Sequence, residues 1–155
     1  MIPFIRDGDF SLSESNAILK YLAETRPTIP SHLWPEDPKQ RALVDQYLEF
    51  YQYHFRPGML DLLRIILGQK MTGAETPEEV KKLVLQNMTT TMVAFEAMLK
   101  QHKGDFLVGN EASIADLQCF FEFTNIEYYN QENWQETYPT IAAWYEKMKE
   151  VECVK

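Results

Sequence analysis

The sequence predicts a mainly α protein. Four to five antiparallel helices occupy residues 39–155, preceded by a small α/β piece, a hairpin and one helix, over residues 1–24. Three observations predict this. After residue 38, apolar side chains recur at helical spacing almost to the end. Residues 25–38, TRPTIPSHLWPEDP, carry four prolines and no periodicity, which marks a linker. Ahead of it, short apolar runs flank Asp7-Gly8, a dipeptide suited to a hairpin turn.

The elements follow in order. Phe4-Ile5 and Phe10 to Leu12 are the two strands. Ser13 is expected to cap a helix from Glu14 to about Glu24, with Ala17, Ile18, Tyr21 and Leu22 on its apolar side and Pro27 and Pro30 beyond its end. A hairpin plus one helix cannot bury a core, so this piece reads as the tail of a larger α/β unit. From Lys39 to Leu67 the expected buried stripe is Leu43, Tyr47, Phe50, His54, Leu60, Leu63 and Leu67, with a kink at Pro57-Gly58. Gly68 to Glu75 reads as a polar loop. Thr76-Pro77-Glu78-Glu79 then forms a capping box with proline at the first helical position. The helix it opens carries Val80, Leu83, Val84, Met88, Phe95 and Leu99, reaches about Gln101 and is closed by Gly104.

Phe106 to Leu117, FLVGNEASIADL, starts the next helix. Ser113 is the expected N-cap, its hydroxyl accepting from the Asp116 N–H, while the Asp116 carboxylate returns to the Ser113 N–H. Ala112 and Leu117 hold the staple positions. The helix beyond, to Phe123 or Tyr128, is almost wholly apolar, so the box should lie in the core. Asn130 to Tyr138 is a polar loop, and Pro139 opens a last helix with Ile141, Trp144, Tyr145 and Met148.

Hydrophobic residues make up 45% and charged residues 25%, an ordinary globular balance, and the net charge is -8. Nucleic acid and anionic membrane surfaces are therefore poor partners, since both call for a basic face. No apolar run approaches a membrane span, and Arg6, Asp7 and Asp9 interrupt the N-terminus before any signal sequence. Cys119 and Cys153 make no disulfide framework, and a reducing compartment, the cytoplasm, fits them. Cys119 reads as a buried small hydrophobe. His32, His54 and His102 are scattered, so no metal is expected.

Three stretches could carry chemistry. Ser13-Glu14-Ser15 lies where a strand gives way to a helix. Free N–H groups and the Ser15 hydroxyl could hold a carboxylate there, and Glu14 an ammonium, a pair suited to the zwitterionic end of a peptide. Plain capping by Ser13 is the simpler use of the same residues. Just before the first strand, a cis Ile2-Pro3 bond would turn the Ile2 backbone outward to pair with an extended peptide. On the long helix, Tyr51, Tyr53, His54, Phe55 and Arg56 set aromatic rings beside a cation, either as a pocket for an apolar electrophile or as core and interface.

Four motifs in order resemble the soluble glutathione transferases, Theta-like class: IPFIRDGDFSLSESNAILKYL, VDQYLEF with Arg56 after it, FLVGNEASIADL, and YPTIAAWYEKM at Tyr138 to Met148. The likeness implies an all-α glutathione-transferase C-terminal domain over 39–155, a linker over 25–38 and a partial thioredoxin-like piece over 1–24. It implies glutathione as co-substrate, no metal, and attack of its thiolate on a hydrophobic electrophile. Pro3 would be the cis-proline, Ile2 would pair with the cysteinyl backbone, and Glu14 and Ser15 would hold the γ-glutamyl end. Arg56 and neighbouring aromatics, Tyr53 among them, would face the electrophile. Ser113 and Asp116 would be the structural capping box. Family members are usually dimers built across the third and fourth helices. The family's first β-α-β unit, which carries the Ser, Tyr or Cys that activates the thiol, has no counterpart in these residues, nor has the helix that caps the site in Theta-like members. The chain is therefore expected to be part of a longer protein or a truncated relative, inactive alone. The alternatives are a non-enzymatic scaffold subunit, with a partner chain covering the N-terminal strands, and a glutathione carrier without catalysis.

Overall fold

The computed structural model describes residues 2–101, 103–128, 133–152 and 154. His102, Cys153 and residues 130–132 of the expected 130–138 loop lie outside them. Strands β1 (Phe4–Asp7) and β2 (Phe10–Ser13) pair antiparallel, from Phe4 opposite Ser13 to Asp7 opposite Phe10, around Gly8 at φ 60. Helix α1 spans Ser15–Thr25, and a 3-10 turn at Ser31–Leu33 follows. Then come α2 (Pro38–Phe50), a π turn (Tyr51–Phe55), α3 (Arg56–Thr72), α4 (Glu78–Gln101), α5 (Ile114–Tyr128), the single turn α6 (Trp134–Thr137) and α7 (Pro139–Met148).

Helix α1 starts one residue later than expected. Ser13 is held in β2 by its pairing with Phe4, so it cannot cap, and Glu14 takes the cap position at φ 73 with no side-chain cap bond. The hairpin is pinned to α1 through Asp7, which accepts from the Tyr21 hydroxyl at 2.6 Å and from Arg26 Nη2 at 2.5 Å. Helix α2 is capped by Asp37, whose Oδ1 accepts from the Lys39 and Gln40 N–H groups, with Pro38 inside the first turn.

The break in the long helix is a π turn ahead of Pro57 rather than a kink at Pro57-Gly58. Proline has no N–H to give the carbonyl four residues back, and its ring crowds that carbonyl, so the preceding turn widens. Most of the buried stripe is also displaced by one residue. Tyr47 is buried as expected, but the residues buried with it are Val44, Leu48, Tyr51, Phe55, Met59 and Leu62, leaving Leu43 and Phe50 half-buried and His54 and Leu67 exposed. Residues Gly68 to Thr72 continue α3, and the helix ends at Gly73, in the left-handed conformation at φ 68. At the start of α4 the Pro77 carbonyl accepts from both Val80 and Lys81, so proline takes the cap position expected of Thr76, and with no side-chain acceptor it cannot form the expected box. The buried face of α4 is Val84, Met92, Phe95 and Glu96, whereas Val80 and Leu83 are exposed. The expected loop before Tyr138 holds the turn α6, drawn in by the buried Trp134.

Helix α5 is the central element and packs against α2, the π turn, α3 and α7. Ile114, Ala115, Cys119, Phe120 and Phe123 are all buried, as an apolar helix in mid-bundle must be. Around it Phe55, Phe95, Phe123 and Trp144 pack with ring centroids 5.1 to 5.8 Å apart. Helix α1 joins this core through Leu19 and Ala23. Asn16 secures its N-terminus: Nδ2 donates to the Leu48 carbonyl at 3.2 Å, and Oδ1 accepts from Gln118 of α5 at 3.0 Å.

Candidate functional site

The hairpin register builds the first part of the site. With Phe4 opposite Ser13, Pro3 and Glu14 fall at the same end of the hairpin, and Ser15 opens α1 from there. The Ile2-Pro3 bond is cis, and Ile2 is 96% exposed. Glu14 is exposed, and its carbonyl accepts from Ile18, so the N–H groups before Ile18 have no partner within the helix. The structure thus gathers Ile2, Pro3, Glu14 and Ser15 at one corner, with a carboxylate beside a helix N-terminus.

The second part lies at the π turn. Arg56 Nη1 donates to the Tyr51 hydroxyl at 2.7 Å and to Glu122 Oε1 at 2.9 Å, and the Tyr51 hydroxyl donates to the same Oε1 at 2.8 Å. Burial pushes the Tyr51 phenol well above its ordinary value, and the Glu122 charge adds to this. Burial pulls the Arg56 guanidinium down, but its bonds to Tyr51 and Glu122 outweigh that and hold it above its usual value. Tyr53 is not part of this group. It is 71% exposed and lines a hollow of about 290 Å3 with His54, Asp61 and Thr90, on the α4 side of the turn. The aromatic partner of Arg56 is Tyr51.

Helix α5 connects the two parts. Gln118, which holds Asn16, and Glu122, which holds Arg56, are four residues apart and so share a face, separated along the helix axis by about 6 Å. Phe121, 55% exposed, lies on that side between them.

The capping box sits behind this face. Asp116 is fully buried and accepts four bonds: from the Leu107 N–H at 2.8 Å, the Ser113 N–H at 2.8 Å, the Ser113 hydroxyl at 2.7 Å and the Trp144 indole at 2.9 Å. The carboxylate-to-Ser113 half of the box is as expected. The other half differs, because the Ser113 hydroxyl donates to the carboxylate instead of accepting from the Asp116 N–H. Burial raises the Asp116 carboxyl above its ordinary value, against the pull of the donors around it. Cys119 is buried, and its thiol is pushed well up by burial and the nearby carboxylates. Among the described residues no three His, Cys, Asp or Glu side chains converge as metal ligands, and no helix is long and apolar enough to cross a membrane.

Residues 61–155 match the family model described as glutathione S-transferase, C-terminal domain. The chain belongs to the glutathione S-transferases. It is 37% identical to glutathione S-transferase theta-1 of Gallus gallus over 122 residues, 78% of this chain and 46% of that protein. It is 33% identical to theta-1 of Mus musculus over 149 residues, 96% of this chain and 61% of that one. The apo structure of human glutathione-S-transferase T1-1 superposes with a TM-score of 0.87 at 27% identity, covering 97% of this chain and 62% of the other. Human glutathione transferase theta-2, solved with glutathione and an unknown ligand, gives 0.83 at 30% identity, covering 96% of this chain and 60% of the other. The chain is thus theta-like and spans about half to three-fifths of the length of these relatives.

Within this glutathione S-transferase scaffold, sequence reasoning missed Asn16, Gln118 and Glu122. Glu122 carried a readable signal, since a lone carboxylate inside the apolar run Leu117 to Phe123 needs a buried cation or donors. Asn16 and Gln118 are polar residues on ordinary helix faces, and nothing local marks them.

Proposed function

We propose that this chain supplies the glutathione-holding corner and the electrophile-facing helical wall of a theta-like glutathione transferase. The cis Ile2-Pro3 edge offers the Ile2 backbone to the cysteinyl part of glutathione. The α1 N-terminus with Ser15 holds the γ-glutamyl carboxylate, and Glu14 holds its ammonium. Arg56 faces a hydrophobic electrophile. Tyr53, across the turn, meets only a ligand long enough to reach the α4 side. The reaction is attack of the glutathione thiolate on an electrophilic carbon, with departure of the leaving group and its electron pair.

The observation that supports this best is the shared face of α5, which joins the helix-start corner to Arg56 within one helical turn. Residues 1–155 alone hold glutathione without activating its thiol. The Tyr21 and Tyr51 hydroxyl protons are already given to Asp7 and Glu122, and Cys119 is buried. We place the glutathione corner in residues 1–24, the linker at 25–38 and the helical wall in 39–155. We place the protein in the cytoplasm, as a homodimer paired through the family's third and fourth helices, here α1 and the long helix from α2 to α3, where Leu67 and Met71 are exposed. Calorimetric titration with glutathione tests the reading, alongside turnover of a chloro-dinitro-arene. Saturable heat with no conjugation is the expected pair of results, and a flat titration overturns the glutathione site.

A second reading rests on Phe4 and Phe10, 53% and 47% exposed on the hairpin. In it the chain is a non-enzymatic subunit whose partner covers the strands. A flat glutathione titration, with Phe4 and Phe10 protected from solvent only in the native complex, would favour it.

A further inference from the structure

In an α-helix, residues five apart lie about 140° round from each other and cannot share a partner. Tyr51 and Arg56 are five apart, yet both reach Glu122 Oε1. The π turn makes this possible. The Arg56 N–H bonds to the Tyr51 carbonyl, so the two residues stack as neighbours across one widened turn. Glu122 is nearly buried, at 7% exposure, while the Arg56 side chain is 44% exposed. The three bonds meet at one guanidinium nitrogen, one phenol oxygen and one carboxylate oxygen. A buried carboxylate thus grips one corner of a cation whose remainder is open to the surface.

We infer that Glu122 and Tyr51 are positioning residues for Arg56: the π turn and the α5 carboxylate fix the guanidinium at the electrophile side of the site. A free arginine side chain spreads over many rotamers, and each must be given up when a ligand binds. A guanidinium held by two bonds has given them up in advance, and the buried carboxylate keeps the direction of the grip. The triangle touches neither Glu14 nor Ser15, so its action is confined to what is attached to the glutathione sulfur. This rests on the function proposed above.

The test uses the full chain and two probes, glutathione and S-(2,4-dinitrophenyl)glutathione, whose nitro oxygens can accept from a guanidinium. Glu122→Gln keeps the shape and removes the charge. It is expected to weaken the dinitrophenyl conjugate about ten-fold, the scale of a charge-assisted bond, and to leave glutathione affinity within about two-fold. In an Arg56→Ala background, Glu122→Gln should change conjugate affinity by less than about two-fold, because its effect passes through the arginine. If Glu122→Gln folds poorly, Tyr51→Phe, which keeps the Glu122–Arg56 pair, is expected to weaken the conjugate about three-fold. An unchanged conjugate affinity, or losses that add in the double variant, overturns the positioning role and leaves the glutathione site standing. A wild-type chain that binds neither probe overturns the glutathione site and the positioning role with it.

Discussion

Replacing Asp116 with alanine removes the acceptor of four hydrogen bonds at once, and the structure sets the size of the loss. The Leu107 N–H, the Ser113 N–H and the Trp144 indole N–H would stay buried without their partner, while the Ser113 hydroxyl can rotate to a new acceptor. Each orphaned donor costs about 1 kcal/mol or more. The desolvation that raises the Asp116 carboxyl disappears in the variant, which returns part of that cost. The net loss should be about 2 to 4 kcal/mol. Those bonds also tie the Phe106–Gly109 turn and α7 to the start of α5, so the transition should stay cooperative and move as one. The assay is urea unfolding at pH 7, followed by tryptophan fluorescence and by far-ultraviolet circular dichroism. Trp144→Phe, which removes one of the four donors, should lose about 1 kcal/mol on the same assay. A loss under about 0.5 kcal/mol for Asp116→Ala would refute the reasoning, because it would mean that the carboxylate holds nothing water cannot replace.

Gly104→Ala should destabilise by about 2 kcal/mol or more in the same denaturation assay. A Cβ there would stand 2.1 Å from the Gly109 carbonyl oxygen, at φ +149, and a wild-type midpoint would contradict the close approach. Asn16→Ala removes the bonds to Leu48 and Gln118 and should cost about 1 to 2 kcal/mol, with glutathione affinity falling alongside; unchanged binding would detach the α5 face from the glutathione corner. Glu96 receives the Thr140 and Ile141 N–H groups at the start of α7 and pairs with Lys100. Burial raises its carboxyl, but these partners outweigh it and hold it below its ordinary value. Its contribution is therefore present above that value and lost as pH falls through the lower folded value. Glu96→Gln should flatten the acid limb of stability below the ordinary glutamate value, and an unchanged limb would refute this. Asp116, raised above 3.8, has the opposite sign, with its contribution falling as pH rises through the folded value.

Much of this was legible where the signal is local. Asp7-Gly8 marked the hairpin, Ser113 and Asp116 marked the start of α5, and Pro139 with Ile141, Trp144, Tyr145 and Met148 marked α7. The phase of the long helix was not legible. Leu43, Phe50 and His54 repeat as regularly as Val44, Tyr51 and Phe55, with Tyr47 buried as expected, and only packing against α5 and α4 chooses between the two sets. The π turn was hidden for a related reason. Pro57 announces a disturbance but not whether the helix kinks, ends or widens, and the widened form places Tyr51 and Arg56 on Glu122, sixty-six residues from Arg56. Ser13 failed as a cap because the hairpin register, fixed by pairing across the turn, claimed it first. The corner of Ile2, Pro3, Glu14 and Ser15 was legible as a group, whereas its link to Arg56 through Asn16 and Gln118 exists only in the folded chain.

Docking of glutathione at this corner is tested most directly by backbone amide resonances followed by NMR during a glutathione titration. The shifts should concentrate at Ile2, Glu14, Ser15 and Asn16, with Glu122 little moved by glutathione alone and clearly moved by its dinitrophenyl conjugate. No shifts, or shifts confined to the distant hollow near His32 and Glu111, would contradict it.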